Sequence, residues 1–145
     1  MSTDKQTNAR LLRIYGITLA EYNKMSEKQN HKCAICGRPE TGRRLAVDHL
    51  HFPKIETGVG GFKGQDLKYY ARTIIGKQTY VSYGKTKKDT LDRLKSMIRK
   101  YLVRGLLDSS CNRVLGKVEN PRWKWHPKEL RAAADYLERF ENGEA

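Results

Sequence analysis

Apolar and polar positions alternate along this chain with a period that shifts from helical to extended and back. The first block, about Asp4 to Tyr15, has helical character and is closed by Gly16, the usual helix stop. Thr18-Leu-Ala-Glu21 is a capping box, so a second helix is expected from Leu19 to about Gln29. Its Leu19, Tyr22 and Met25 recur at helical spacing and read as core. Leu45-Ala-Val-Asp-His49 is a short apolar run with the length of a strand. Thr57-Gly-Val-Gly-Gly-Phe-Lys-Gly64 is too rich in glycine for regular structure and reads as a loop. Thr79-Tyr-Val-Ser-Tyr83 has strand composition and stops at Gly84.

The second half of the pattern is helical. A third helix is expected near Asp89, acting as its cap, with Leu91, Leu94, Met97, Ile98, Tyr101 and Leu102 as one apolar stripe. A helix should follow Cys111-Asn112 through Arg113, Val114 and Leu115, ending near Gly116. Pro121-Arg-Trp-Lys-Trp-His-Pro127 interrupts the chain. A last helix from Lys128 to about Phe140 should bury Leu130, Ala133, Ala134, Leu137 and Phe140. Trp123 and Trp125 suit core or interface packing better than base stacking. The fold class is α+β and mostly helical.

With 145 residues, the chain is expected to form a single domain, residues 1–145. No apolar run approaches the roughly 18 residues of a membrane span, and the first residues lack the apolar core of a signal peptide. A cytoplasmic location and no membrane partner are the expectation. The net charge of +13 changes the picture further, because such an excess favours a polyanion through counterion release and steering. The excess is uneven. From Lys54 to Arg104 there are thirteen Lys and Arg against four Asp and Glu, a net of +9. Charge runs are most often solvated faces. The asymmetry here favours nucleic-acid contact, with Lys87, Lys88, Lys95, Arg99, Lys100 and Arg104 as candidate DNA-binding residues.

Three residue groups carry chemistry. Cys33-Ala-Ile-Cys36 has the two-residue gap that brings two thiolates to one tetrahedral Zn²⁺, and Gly37-Arg38-Pro39 after it suits a metal knuckle better than a redox helix. Asp108-Ser-Ser-Cys111 offers a carboxylate and a thiolate at the same spacing, completing a structural zinc site, with His31 as a fallback ligand. Val47-Asp48-His49-Leu50-His51 is the third group. On a regular strand His49 and His51 would share a face opposite Asp48, and a bend or bulge would bring Asp48 and His49 to one site. Asp48 is a hard oxygen ligand for Mg²⁺ or Mn²⁺, and a neutral imidazole at His49 can take a proton from water.

Cys-Ala-Ile-Cys-Gly, then Val-Asp-His-x-His, then Val-Arg-Gly-Leu-Leu-x-x-x-Cys-Asn-Arg-x-Leu-Gly resembles the recombination endonuclease VII family, within the HNH or His-Me finger nucleases. The likeness covers about residues 11–51 and 101–118. It implies a ββα core that holds one catalytic divalent metal beside a structural zinc. Asp48 and Asn112 would ligate the divalent ion, His49 would activate water, and His51 would be auxiliary, toward the phosphate. Cys33, Cys36, Asp108 and Cys111 would hold zinc. The implied activity is metal-dependent hydrolysis of DNA, on branched DNA or by nicking or cutting duplex, and a phage or bacterial source. A homodimer would suit a resolvase, with the terminal helices as its interface. Two departures stand out. The family usually has cysteine at position 108, and it joins Asp-His-x-His to Arg-Gly-Leu-Leu by a short hairpin. Here an insertion at about 53–101 intervenes. The alternative is a non-catalytic, zinc-stabilised DNA-binding module, which would need none of Asp48, His49 and Asn112.

Overall fold

Two capping boxes start the chain's helical hairpin. In α1 (Asp4–Tyr15) the Thr3 hydroxyl accepts from the Gln6 backbone N–H while the Gln6 side chain accepts from the Thr3 N–H. The helix stops because Gly16 turns left-handed, with φ of 69°, and bonds back to Leu12. In α2 (Leu19–Lys28), Thr18 and Glu21 repeat the reciprocal cap. Both helices match the sequence expectation. The computed structural model describes residues 2–51, 53–60, 68–122 and 126–143. Trp123, Trp125 and residues 61–64 of the glycine-rich run lie outside the described residues, as does the Phe140 side chain.

The chain then forms β1 (Ala46–His49), β2 (Ile55–Val59), β3 (Tyr69–Ile75), β4 (Gln78–Gly84), α3 (Lys87–Ile98), β5 (Val103–Leu107), α4 (Ser109–Val118) and α5 (Pro127–Glu141). A 3₁₀ turn, Arg99–Leu102, joins α3 to β5. β1 pairs antiparallel with β5, although they are far apart in sequence. Between them β2, β3 and β4 make a separate antiparallel sheet in chain order. α4 packs on β1 and β5, so strand, strand and helix form one unit.

Each sheet has its own apolar core. Under β1 and β5 lie Leu11, Ile17, Tyr22, Cys33, Leu45, Val47, Leu106 and Leu107, all buried. The Tyr22 hydroxyl donates to the Leu45 carbonyl at 2.8 Å and ties α2 to the entry of β1. The open edge of β5 is closed by α2. The Gln29 amide donates to the Leu106 carbonyl and accepts from the Leu106 N–H, at 2.8 and 2.9 Å. The second of these bonds satisfies a strand-edge N–H, while the Leu106 carbonyl is shared with the Ala34 N–H. The second core joins Ala71 of β3 to Leu94 and Ile98 of α3, each wholly buried. Ile55, Ile75, Tyr80, Leu91 and Leu102 pack around them.

Five sequence expectations change. Residues 57–59 of the glycine-rich run are strand, because β2 pairs with β3 through Thr57↔Ala71, Gly58↔Tyr70 and Val59↔Tyr69. β3 itself was not expected. Its fully buried positions are only Ala71 and Thr73, one small and one polar, too little apolar contrast to stand out. α3 begins two residues before Asp89, because the Thr86 hydroxyl is the cap and accepts from the Asp89 N–H at 3.1 Å. Of its stripe, Met97 and Tyr101 are about half exposed, at 47% and 48%, Tyr101 lying past the helix in the 3₁₀ turn, while Thr90, outside the expected stripe, is buried. Along α5, Leu130 and Ala133 are half-buried, but Ala134 and Leu137 are exposed. Among the described residues, no closed core covers the apolar side of α5.

Candidate functional site

The Cys33 knuckle is built by backbone hydrogen bonds. The Cys33 N–H donates to the Arg38 carbonyl at 2.9 Å, and the Gly37 N–H donates back to the Cys33 carbonyl at 3.0 Å. Gly37 allows the turn by its φ of 70°. Ala34 bonds to Leu106, which docks the knuckle on β5. On the far side, Asp108 caps α4, its Oδ1 accepting from the Cys111 N–H at 2.8 Å. The spacing Asp108-x-x-Cys111 thus places both side chains at the first turn of one helix.

These elements bring one ligand atom each from Cys33, Cys36, Asp108 and Cys111 within 4.8 Å of one another. Four donors on one tetrahedral Zn²⁺ would sit about 3.8 Å apart, from Zn–S bonds of about 2.3 Å. Small side-chain rotations close that difference, so the donor set fits zinc. Its electrostatics divide the three thiols. Burial opposes the Cys33 thiolate, yet the N–H groups of Cys36, Asp108 and Ile35 outweigh it and bring its pKa to about 7. The Cys36 thiol donates to the Asp108 carboxylate at 2.8 Å, which holds Asp108 down at about 2 and pushes Cys36 up. Burial, with Cys36 and Cys33 beside it, raises Cys111 to about 12. His31 stands apart from this group, because its Nδ1 pairs with the Ser26 hydroxyl at 2.9 Å.

The expected bend in the Asp48-His49 run is present as a β-bulge. Asp48 opposes Gly105, but His49 opposes Val103, so the register slips between them. Asp48 is 6% exposed and must be paired. Arg104, on the facing strand, supplies a two-pronged bond, Nη2 to Oδ1 at 2.8 Å and Nε to Oδ2 at 2.9 Å. The same guanidinium bonds both oxygens of Glu119. Arg104 is therefore shared between two carboxylates, and both raise its pKa, Glu119 foremost.

His49 lies across from this ion cluster among rings. Tyr15 meets it edge-on with centroids 5.3 Å apart, and the His51 ring is tilted against it at 4.2 Å. Its Nδ1 is buried, with no hydrogen-bond partner among the described residues. Burial, then the charge of His51, lowers the imidazole pKa, while Asp48 pulls the other way. The ring is thereby biased to the neutral form. Asn112 sits in the first turn of α4, its backbone N–H on the Asp108 carbonyl at 3.0 Å and its side chain half-buried. One helix start therefore carries Asp108, Cys111 and Asn112 together.

The other cationic candidates divide. Arg99 donates to the Arg13 carbonyl at 2.6 Å, and Lys100 pairs with Glu21 at 3.5 Å. Lys88 pairs with Asp92 at 3.4 Å, and Lys87 and Lys95 are exposed on α3. Sequence reasoning missed two residues here, Glu119 and Tyr15. Glu119 had a signal. A carboxylate at a helix C-terminus opposes the helix dipole, so it is kept for another partner.

Among the described residues, no helix is long and apolar enough to cross a membrane. Neither a curated protein nor a solved structure matches the chain. The family model described as recombination endonuclease VII matches residues 8–139, nearly the whole length. The chain belongs to the recombination endonuclease VII family, a family of DNA endonucleases.

Proposed function

We propose that this protein is a metal-dependent DNA endonuclease of the HNH, or His-Me finger, type that acts on branched DNA. The observation that carries the reading is His49, whose unpartnered Nδ1 sits buried beside the bulge that sets Asp48 next to it. An imidazole kept neutral, with one ring nitrogen unspoken for, is fitted to accept a proton from an attacking water. The β1–β5–α4 unit is the ββα core in this reading, and residues 53–101 are an insertion into a single nuclease domain.

Asp48 and Asn112 would hold a divalent cation, Mg²⁺ or Mn²⁺. Each Asp48 oxygen bonded by Arg104 keeps a second lone pair, and the Asn112 amide would add another hard oxygen. Such a cation supplies charge stabilisation at the phosphate and the leaving 3′ oxygen. His49 takes the proton from water on the opposite side, leaving a 5′-phosphate and a 3′-hydroxyl. Arg104 fixes the Asp48 carboxylate, with Glu119 fixing Arg104 in turn. His51 borders the phosphate position. Zinc on Cys33, Cys36, Asp108 and Cys111 braces the start of α4, and with it Asn112.

The branched substrate follows from family membership, and the basic segment supplies the attraction to DNA. A homodimer suits that substrate, and the exposed Tyr136 and Leu137 of α5 support an interface there. A binding module without hydrolysis would need no His49 held in this way. The test is incubation with Mg²⁺ of linear duplex, nicked duplex and four-way-junction DNA side by side. Preferred cutting of the junction is expected. Binding of all three forms with cleavage of none would remove the enzyme reading.

A further inference from the structure

We infer that the face of the β2–β3–β4 sheet turned away from α3 is a seat for the major groove of duplex DNA, separate from the Asp48 cluster. The inference rests on the reading of this chain as a DNA-acting nuclease. It names the surface that grips a duplex arm. One face of the sheet is occupied. Ala71, Thr73 and Ser82 are buried there, and the Ser82 hydroxyl donates to the Thr90 carbonyl of α3 at 2.6 Å. Strand alternation then puts Tyr70, Arg72 and Ile74 of β3, with Val81 and Tyr83 of β4, on the opposite face. Arg72 is exposed and Ile74 is 68% exposed. Among the described residues, the element that packs most on this sheet is α3, on the other side.

Three observations select duplex DNA as the occupant. The first is charge. Among the described residues, the one carboxylate on this face is Glu56, and it is tied to Arg72, whose Nε donates to it at 2.6 Å. Exposed Lys54, Lys68, Lys77 and Lys85 flank the strands. The solvent side of α3 is different, since Asp89 and Asp92 are interleaved with its lysines and Lys88 is already paired with Asp92. Among the described residues of β2–β4 and their flanks, five Lys and Arg thus stand against one acid, Glu56.

The second is shape. β3 and β4 form a seven-residue-per-strand hairpin closed by the tight turn Gly76-Lys77, with Gly76 at φ of 61°. β2 pairs with β3 only as far as Thr73, so the turn end of this hairpin runs on as two strands, and a two-stranded ribbon fits the roughly 12 Å width of the major groove. Strands are an established way to read that groove. The third is the surface itself. The Tyr70 ring crosses Gly58, where a Cβ would come 2.5 Å from its Cε1 and its hydroxyl oxygen. It shares this face with Arg72, which Glu56 orients. Arginine directed at a groove finds its best partner in the O6 and N7 edge of guanine.

The test is fluorescence anisotropy of the full chain on a labelled duplex of about two helical turns, with no divalent cation added, so that nothing is cut. Arg72→Ala should weaken binding roughly five- to a hundredfold, the range for loss of one bidentate base contact. Ile74→Glu changes a position already in solvent, so it folds, and its added negative charge should weaken binding at least as much. Lys87→Ala with Lys95→Ala, on the other side of the unit, should lose less than either. Circular dichroism should be unchanged in all three. The inference is overturned if both sheet variants bind as wild type, or if the α3 pair loses more than they do. Because this readout involves no cleavage, a protein that cuts nothing would end the nuclease reading while leaving the sheet result to stand or fall by itself.

Discussion

The Arg104 guanidinium grips both oxygens of Asp48, at 2.8 and 2.9 Å, across the β1–β5 ladder, while Glu119 holds its other side. The Asp48 side chain is 8% exposed and that of Arg104 35%. Removing one partner of such a pair leaves a charge stranded in the interior. A fully buried pair loses about 3–5 kcal/mol on that account. Solvent reaches Arg104, so Arg104→Ala should cost less, about 2 kcal/mol. Urea unfolding measures this. Arg104→Lys should rescue little, because an ammonium cannot make the fork. Adding Asp48→Asn to Arg104→Ala should restore part of the loss. If Arg104→Ala unfolds like wild type, the pair is not what steadies Asp48.

Zinc should be present at one ion per chain in the purified protein, by elemental analysis. Asp108→Asn keeps a capping side chain for α4 but removes a charged ligand. It should therefore lower zinc content with helix content unchanged. Asp108→Cys supplies a fourth thiolate and should bind zinc more tightly than wild type. Equal zinc in all three would exclude position 108 from the ligand set.

Tyr22 offers a test of how the site is anchored. Burial, with the Glu40 charge beside it, raises its phenol to about 12. The folded state thus favours the neutral form. Its contribution is complete below pH of about 10, the unfolded value, and is lost as pH climbs toward about 12. Tyr22→Phe should flatten that alkaline loss. It should also cost about 1–2 kcal/mol at neutral pH, because the Leu45 carbonyl loses its donor just before β1. An unchanged alkaline unfolding curve would contradict this.

The second core has its own signature. Leu94 is wholly buried between α3 and the β2–β4 sheet. Leu94→Ala should destabilise the protein by about 2–5 kcal/mol. Hydrogen exchange should show the loss concentrated in β2–β4 and α3, with β1 and β5 less affected.

The local signals in the sequence proved readable. Thr18 with Glu21, and Gly16 after Tyr15, marked helix ends because capping is a matter of three or four residues. Cys33, Cys36, Asp108 and Cys111 were readable as one group because spacing on a knuckle and on a helix start fixes where donors fall. The bulge at Asp48 and His49 was anticipated from the chemistry that needs it. What escaped was non-local. Nothing near Asp48 says that Arg104, on a strand reached only after a second sheet, will close on it. β3 escaped because its inward residues are small and polar. The apolar side of α5 could be read, but what covers it could not, because burial depends on a surface elsewhere.

The most direct measurement is the single-turnover rate of four-way-junction cleavage with Mg²⁺, comparing wild type with His49→Ala. General-base catalysis is worth roughly a hundred- to ten-thousandfold. A loss of that size, with junction affinity and thermal unfolding unchanged, is the predicted result. Cleavage by His49→Ala at the wild-type rate would contradict the assignment of His49 as the base.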